Sequence, residues 1–235
     1  MQLSEPAKRI FISGAGLISH FLPYVKSLTG KQNPRMCLLP TAVGDSPDII
    51  NRWYERCNEL DIKAFVQRTF ISSYEQHQSF EEVLLSMDAI VVTGGNTLNM
   101  LAIWKAHGID EILKTAWERG IILSGGSAGS LCWFEQGTTD SRPQKVSPMN
   151  CLGFLKGSHC PHYDSESTRR PLYHSYILSG EFKPGYACDD RAGILFTGQD
   201  VEQVVALTDT SNAYYVYLQD NAVVEKELAK TVLER

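Results

Sequence analysis

Gly120-Ile121-Ile122-Leu123-Ser124-Gly125-Gly126-Ser127-Ala128-Gly129 decides how this chain folds. The apolar run Gly120–Ser124 reads as a buried strand, and Ser130-Leu131-Cys132-Trp133-Phe134-Glu135 after it can start a helix. A Gly-x-Ser-x-Gly turn between strand and helix is a nucleophile elbow. Small residues flank the serine because the turn is too tight for larger ones. Its hydroxyl then stands exposed at the carboxyl end of a sheet. The next N–H, that of Ala128, can face a developing oxyanion. The plainer reading is a glycine-rich turn, and the surrounding pattern decides between them.

Upstream of the elbow, apolar strand-like runs alternate with amphipathic stretches. Arg9–Ser13, Met36–Pro40, Ile62–Val66 and Ala89–Thr93 read as strands. Helices are expected from Ser19 to Leu28, Asp48 to Leu60, Phe80 to Ser86, Leu98 to His107 and Ile109 to Arg119. In the second of these Ile49, Trp53 and Cys57 recur every fourth residue. Downstream, Thr138–Pro171 is rich in Ser, Pro, His and Asp and reads as functional loops around one short apolar run, Leu152–Leu155. Ile194–Phe196, Val204–Leu207 and Ala213–Tyr217 then look like short strands, the last entering a hairpin through Gln219-Asp220-Asn221. Alternating strands and helices predict a mostly parallel central sheet with helices on both faces, and the late hairpins predict antiparallel strands at one edge. Residues 1–235 read as one α/β domain.

Composition narrows the function classes. The chain has 235 residues, 43% of them hydrophobic and 21% charged, with a net charge of −5. No basic stripe suits nucleic acid. No apolar run reaches the ~18 residues of a membrane span. The amino terminus lacks a signal-peptide pattern. The six cysteines contain no Cys-x-x-Cys pair, which favours reduced thiols in a cytoplasmic protein.

A serine needs a base to act as a nucleophile near neutral pH. His20, His77 and His107 fall in or beside helices. His162, in Cys160-Pro161-His162-Tyr163-Asp164, follows an apolar run, and a loop at a strand end is where an α/β fold places its site. A third group must orient the imidazole. Asp140 has the best position for that role; Glu135 and Asp164 are the other acids nearby. Gly94-Gly95-Asn96, ending the preceding strand, offers the second oxyanion donor at Gly95, while Asn96 is a helix cap and a candidate substrate contact.

Three competing readings need different partners. A metal-dependent hydrolase would use His159, His162 and Asp164, with Cys160 or Asp189-Asp190 as further ligands, but leaves the elbow without a role. A dinucleotide site would start at Gly14-Ala15-Gly16, yet Ser19 replaces its third glycine and no acid follows about 20 residues on. An esterase of the α/β-hydrolase type needs its histidine after the last core strand, and none lies beyond His174.

The motifs Val92-Thr93-Gly94-Gly95-Asn96-Thr97, Gly125-Gly126-Ser127-Ala128-Gly129, Thr138-Thr139-Asp140 and Cys160-Pro161-His162-Tyr163 resemble, in order and spacing, those of the peptidase E (aspartyl dipeptidase) and cyanophycinase family of serine peptidases. The resemblance implies a three-layer sandwich similar to class I glutamine amidotransferases. It implies Ser127 as nucleophile, His162 as base and Asp140 as third member, with Glu135 in that role by analogy to cyanophycinases. It places the oxyanion hole at Gly95 and Ala128. It implies cleavage of short peptides after an amino-terminal aspartate, with Arg169 and Arg170 as the cations facing that side chain. No cofactor or metal is expected, nor a nucleic-acid or membrane partner, and the expected assembly is a monomer or homodimer. A non-catalytic member of the family would keep the fold without the chemistry.

Overall fold

Side chains alternate between two cores along five parallel strands and fix the two faces of the central sheet. The computed structural model describes residues 6–143 and 145–234. Strands β1 (Arg9–Ser13), β2 (Arg35–Leu39), β3 (Lys63–Val66), β4 (Ala89–Val92) and β5 (Ile122–Gly126) lie in the order β1-β5-β4-β2-β3, all parallel. Ile10, Ile12, Cys37, Leu39, Ile90 and Val92 enter one core; Phe11, Met36, Leu38, Ala89 and Val91 enter the other. Strands buried on both faces are what crossover helices on both sides require.

Helices α1 (Leu22–Leu28) and α2 (Pro47–Glu59) cover one face through Leu22, Val25, Trp53 and Cys57. Pro47 opens α2, where its missing N–H costs nothing. The Trp53 indole N–H donates to Phe65 O at 3.0 Å and ties the helix to β3. Helices α3 (Phe80–Leu84), α4 (Thr97–His107) and α5 (Ile109–Glu118) cover the other face through Leu84, Met100, Trp104 and Leu113.

Beyond the elbow the structure departs from the sequence reading. Helix α6 spans only Ala128–Leu131, and the chain extends again by Phe134. The stretch expected to hold loops forms β6 (Phe134–Arg142), β7 (Lys145–Asn150) and β8 (Leu155–Cys160), followed by α7 (Arg169–Leu178). Many of its buried positions are small or polar, among them Gly137, Thr138, Thr139, Ser147, Ser158 and His159, so no regular apolar alternation announces the strands. After α7 come β9 (Gly185–Cys188), β10 (Ala192–Thr197), β11 (Asp200–Ala206), β12 (Ala213–Gln219), β13 (Ala222–Glu227) and β14 (Thr231–Val232).

Strands β10, β11 and β14 extend the central sheet past β1, with β10 antiparallel to β1 and to β11, as expected of the late strands, and β14 parallel to β11. The other late strands build a second, six-stranded sheet in the order β13-β12-β9-β8-β6-β7. Trp133, Phe134 and Leu155 join the core on the α4–α5 face, and α7 packs Tyr173 and Ile177 against Phe182, Ala187 and Val216. All six cysteines are unpaired. Among the described residues no helix is long and apolar enough to cross a membrane.

Candidate active site

The elbow forms where β5 meets α6. Ser127 has φ 56° and ψ −118°, a conformation a non-glycine residue adopts only under constraint. The glycines on either side supply that constraint. A Cβ on Gly125 would strike Gly129 O, and one on Gly129 would strike Val92 O, so the strand and the helix start touch with no room for side chains. Ser127 N–H donates to Ser13 O at 3.2 Å, and Ser130 N and Leu131 N donate to Ser127 O. The hydroxyl is therefore held above the carboxyl end of the central sheet.

His162 reaches it from the second sheet. It lies two residues past the end of β8, itself with φ 55°. Its Nε2 is 2.7 Å from Ser127 Oγ, and its Nδ1 is 2.7 Å from Asp190 Oδ1. A carboxylate only accepts, so Nδ1 carries the proton and Nε2 is left to accept from the serine. Asp190 sits in the turn where the chain crosses from β9 in the second sheet to β10 in the first. Parallel pairing of β8 with β9 sets Cys160 beside Ala187, so the residues just past both strand ends become neighbours. The Asp190 N–H donates to Asp164 Oδ1 at 2.9 Å, and Ala15 N–H donates to Asp190 O.

Asp190 thus occupies the place expected of Asp140 or Glu135. Asp140 is on β6, exposed, 3.7 Å from an Arg169 nitrogen. Glu135, at the opposite end of that strand, pairs with Lys183 at 2.8 Å and accepts from Gly157 N. The physical reason is α6: four residues of helix followed by an immediate strand carry both acids away from His162. Sequence proximity to the elbow misled; the usable signal was the acidic pair Asp189-Asp190 just before the apolar strand at Ala192.

The donors around the serine are backbone groups. Among the described residues the N–H groups of Gly94, Gly95 and Ala128 donate to no protein acceptor. Gly94 is so near Ser127 that an added Cβ would lie 3.2 Å from the serine Cβ. Gly95 has φ 128°, and a Cβ there would strike Ala42 O. Asn96 caps α4 by accepting from Asn99 N–H at 2.9 Å, and its side-chain amide donates to Ser141 O.

A pocket of about 680 Å³ opens from Ser127 and His162. Gly94 and Thr93 line one side; Arg52, Glu55, Arg56 and Glu59 of α2 line another. Thr93 Oγ1 is buried there with no partner among the described residues. Arg56 pairs with Glu59 at 2.6 Å, whereas Arg52 is exposed with no ion pair among the described residues. The arginines named from sequence point elsewhere. Arg169 is buried, donating to Glu166 and to Thr138 O. Arg170 forms a two-point pair with Glu225 and lies over the rings of Tyr163 and Tyr214.

The competing readings lose their geometry. His159 is fully buried and turns away, its Nε2 2.9 Å from Ser130 Oγ and its Nδ1 3.0 Å from Tyr186 O. Among the described residues no three His, Cys, Asp or Glu side chains converge to hold an ion. Gly14 is explained by contact: a Cβ would strike Asp189 O, so the glycine admits the turn that carries Asp190.

Known proteins resemble the chain in sequence and in fold. A peptidase from Bacillus subtilis (strain 168), "Uncharacterized peptidase YgaJ", is 41% identical over 202 residues, covering 86% of each chain. Two crystal structures share the fold: a peptidase from an acI-B1 Actinobacterium (TM-score 0.73, 15% identity, 94% of each chain) and a "Putative Peptidase E Protein" from Listeria monocytogenes EGD-e (TM-score 0.63, 18% identity, 86% of this chain and 100% of that one). The model of Peptidase family S51 matches residues 10–204, from β1 through the elbow and Asp190 into β11, and the chain belongs to that family.

Proposed function

We propose that this protein is a serine exopeptidase of short peptides, working through Ser127, His162 and Asp190. One observation carries the reading: the unbroken hydrogen-bond chain from Ser127 Oγ through His162 to Asp190, 2.7 Å at each link. Ser127 Oγ attacks the scissile carbonyl carbon while His162 Nε2 takes its proton. The oxyanion is met by the free N–H groups of Ala128 and the Gly94–Gly95 turn. His162 returns the proton to the leaving amine as the C–N bond breaks. Water then attacks the acyl ester, again with His162 as base, releasing a carboxylic acid and restoring Ser127. Asp190 stays ionised throughout, holding the tautomer and stabilising the imidazolium.

The pocket falls within the ~300–1,000 Å³ of sites for small ligands, which favours short peptides over an extended protein segment. Preference for an amino-terminal aspartate needs a cation at the pocket. Arg52 supplies it, because Arg169 and Arg170 are engaged elsewhere.

Two measurements test this. A fluorophosphonate should label the wild type at Ser127, as read by mass spectrometry, and Ser127→Ala should neither label nor hydrolyse dipeptides; labelling elsewhere, or an unchanged rate, rejects the assignment. For recognition, the ratio of kcat/KM for Asp-Leu over Asn-Leu should drop about 10-fold or more in Arg52→Gln. An unchanged ratio removes Arg52 from recognition and leaves the catalytic assignment standing.

A further inference from the structure

Three consecutive residues on the histidine loop are tied to two different parts of the molecule. His162 holds Asp190 through its ring, and Asp164 Oδ1 accepts from Asp190 N–H. Tyr163, between them, points the other way. It is buried, and its hydroxyl donates to Glu225 Oε1 on β13. That carboxylate gathers partners from two further positions: the Arg170 guanidinium through Nε at 2.8 Å and through Nη2, and His174 Nε2 at 2.7 Å. Arg170 also lies over the Tyr163 ring, 5.0 Å from its centre. Glu225 stands on the hairpin that forms the far edge of the second sheet, 63 residues after His162 in the chain.

The backbone at His162 makes this anchorage consequential. With φ 55°, the residue occupies a left-handed conformation that non-glycine residues rarely adopt and that persists only where its surroundings enforce it. The Tyr163 N–H bond to Cys188 O, at 3.1 Å, fixes one side of the peptide. The side-chain bond to Glu225 fixes the other. We infer that Glu225 is a positioning residue for His162, acting through Tyr163 to hold the imidazole in line between Ser127 and Asp190. Displacements near 1 Å in a catalytic group can cost about 100-fold in rate, so a carboxylate that touches no substrate can still govern turnover.

The inference rests on the serine-peptidase reading for its kinetic consequence but not for its geometric one, and the experiment separates them. In Glu225→Ala, kcat for a cleaved dipeptide should fall about 10- to 100-fold with KM within about threefold of wild type. Glu225→Gln keeps an acceptor for Tyr163 and should recover most of the loss. Tyr163→Phe should reproduce the kcat loss, and the double variant should lose little more than either single one. Independently of activity, the downfield proton resonance of the His162–Asp190 hydrogen bond, identified by its loss in His162→Ala, should broaden or vanish in Glu225→Ala and Tyr163→Phe. A Tyr163→Phe protein that keeps both the wild-type kcat and that resonance overturns the inference. So does a kcat loss that merely tracks the folded fraction in thermal melts. A wild type with the resonance but no Ser127-dependent hydrolysis would sink the peptidase reading, and the resonance alone would then decide for or against Glu225.

Discussion

Ser127 with His162 and Ser130 with His159 are two serine–histidine pairs built on the same elbow and the same strand end, three residues apart in each case. Their contact distances are nearly equal, 2.7 Å and 2.9 Å. What differs is the partner of the second ring nitrogen and the surroundings. His162 Nδ1 faces the Asp190 carboxylate at the pocket; His159 Nδ1 faces the neutral Tyr186 carbonyl inside the protein, with its ring stacked on Phe134. Burial pushes the His159 pKa down to about 3, with the Tyr186 carbonyl offsetting it only in part. His159 therefore stays neutral and cannot cycle protons. Ser130 Oγ lies between Ser127 O at 2.7 Å and His159 Nε2 at 2.9 Å, its single hydrogen donated to the carbonyl and shared with the imidazole, so the buried pair braces the peptide of Ser127. A close serine–histidine contact thus makes no nucleophile by itself. What sets the proposed nucleophile Ser127 apart is a carboxylate on the far nitrogen of its histidine and an opening to the pocket.

The largest effect that could break this contrast lies at the far nitrogen. Asp190→Asn should lower kcat roughly 10,000-fold, because an amide can donate to Nδ1 and favour the wrong tautomer. Asp140→Asn and Glu135→Gln should stay within about threefold of wild type, since neither acid approaches His162. Steady-state dipeptide hydrolysis distinguishes the three, and an Asp140→Asn loss matching that of Asp190→Asn would reverse the assignment.

The buried pair should show in stability rather than turnover. Ser130→Ala strands the His159 Nε2 acceptor and should cost about 1–3 kcal/mol in denaturant unfolding. Activity of the remaining folded protein should fall less than about 10-fold. A catalytic loss as deep as that of Ser127→Ala would make the two pairs equivalent.

The smallest effect concerns pH. The folded His159 pKa lies below its unfolded value near 6.5, so the unfolded chain binds the extra proton between those limits. Its contribution is complete above about 6.5 and is lost as pH falls toward 3. Asp189 acts in the opposite sense: burial raises its pKa to about 6, so what it contributes is present at low pH and lost as pH rises through that value. Comparison with His159→Phe isolates the histidine. From pH 6.5 to 5 the variant's unfolding free energy should slope less with pH than that of the wild type, and equal slopes would contradict a neutral His159.

The legible parts of this molecule are those set by near neighbours in the chain. Ser127 and the glycines around it could be read because a strand-to-helix turn this tight excludes side chains at 125 and 129 whatever surrounds it. The five parallel strands could be read because burial on both faces leaves apolar runs. The second sheet could not, since β6 buries Gly137, Thr138 and Thr139 where a pattern search looks for Val or Ile. Helix α7 was hidden by Arg169-Arg170-Pro171 at its start.

By itself, then, the sequence determined the elbow at Ser127 and the parallel sheet, and pointed to His162 at a strand end, each a matter of local sterics or of apolar periodicity. Only the tertiary structure decided that Asp190 meets His162, that Arg52 rather than Arg169 or Arg170 faces the pocket, and that His159 is a brace. Those outcomes depend on which strand ends lie side by side. Pairing between β8 and β9 brings together residues 28 positions apart through backbone hydrogen bonds, whose partners no side-chain pattern records.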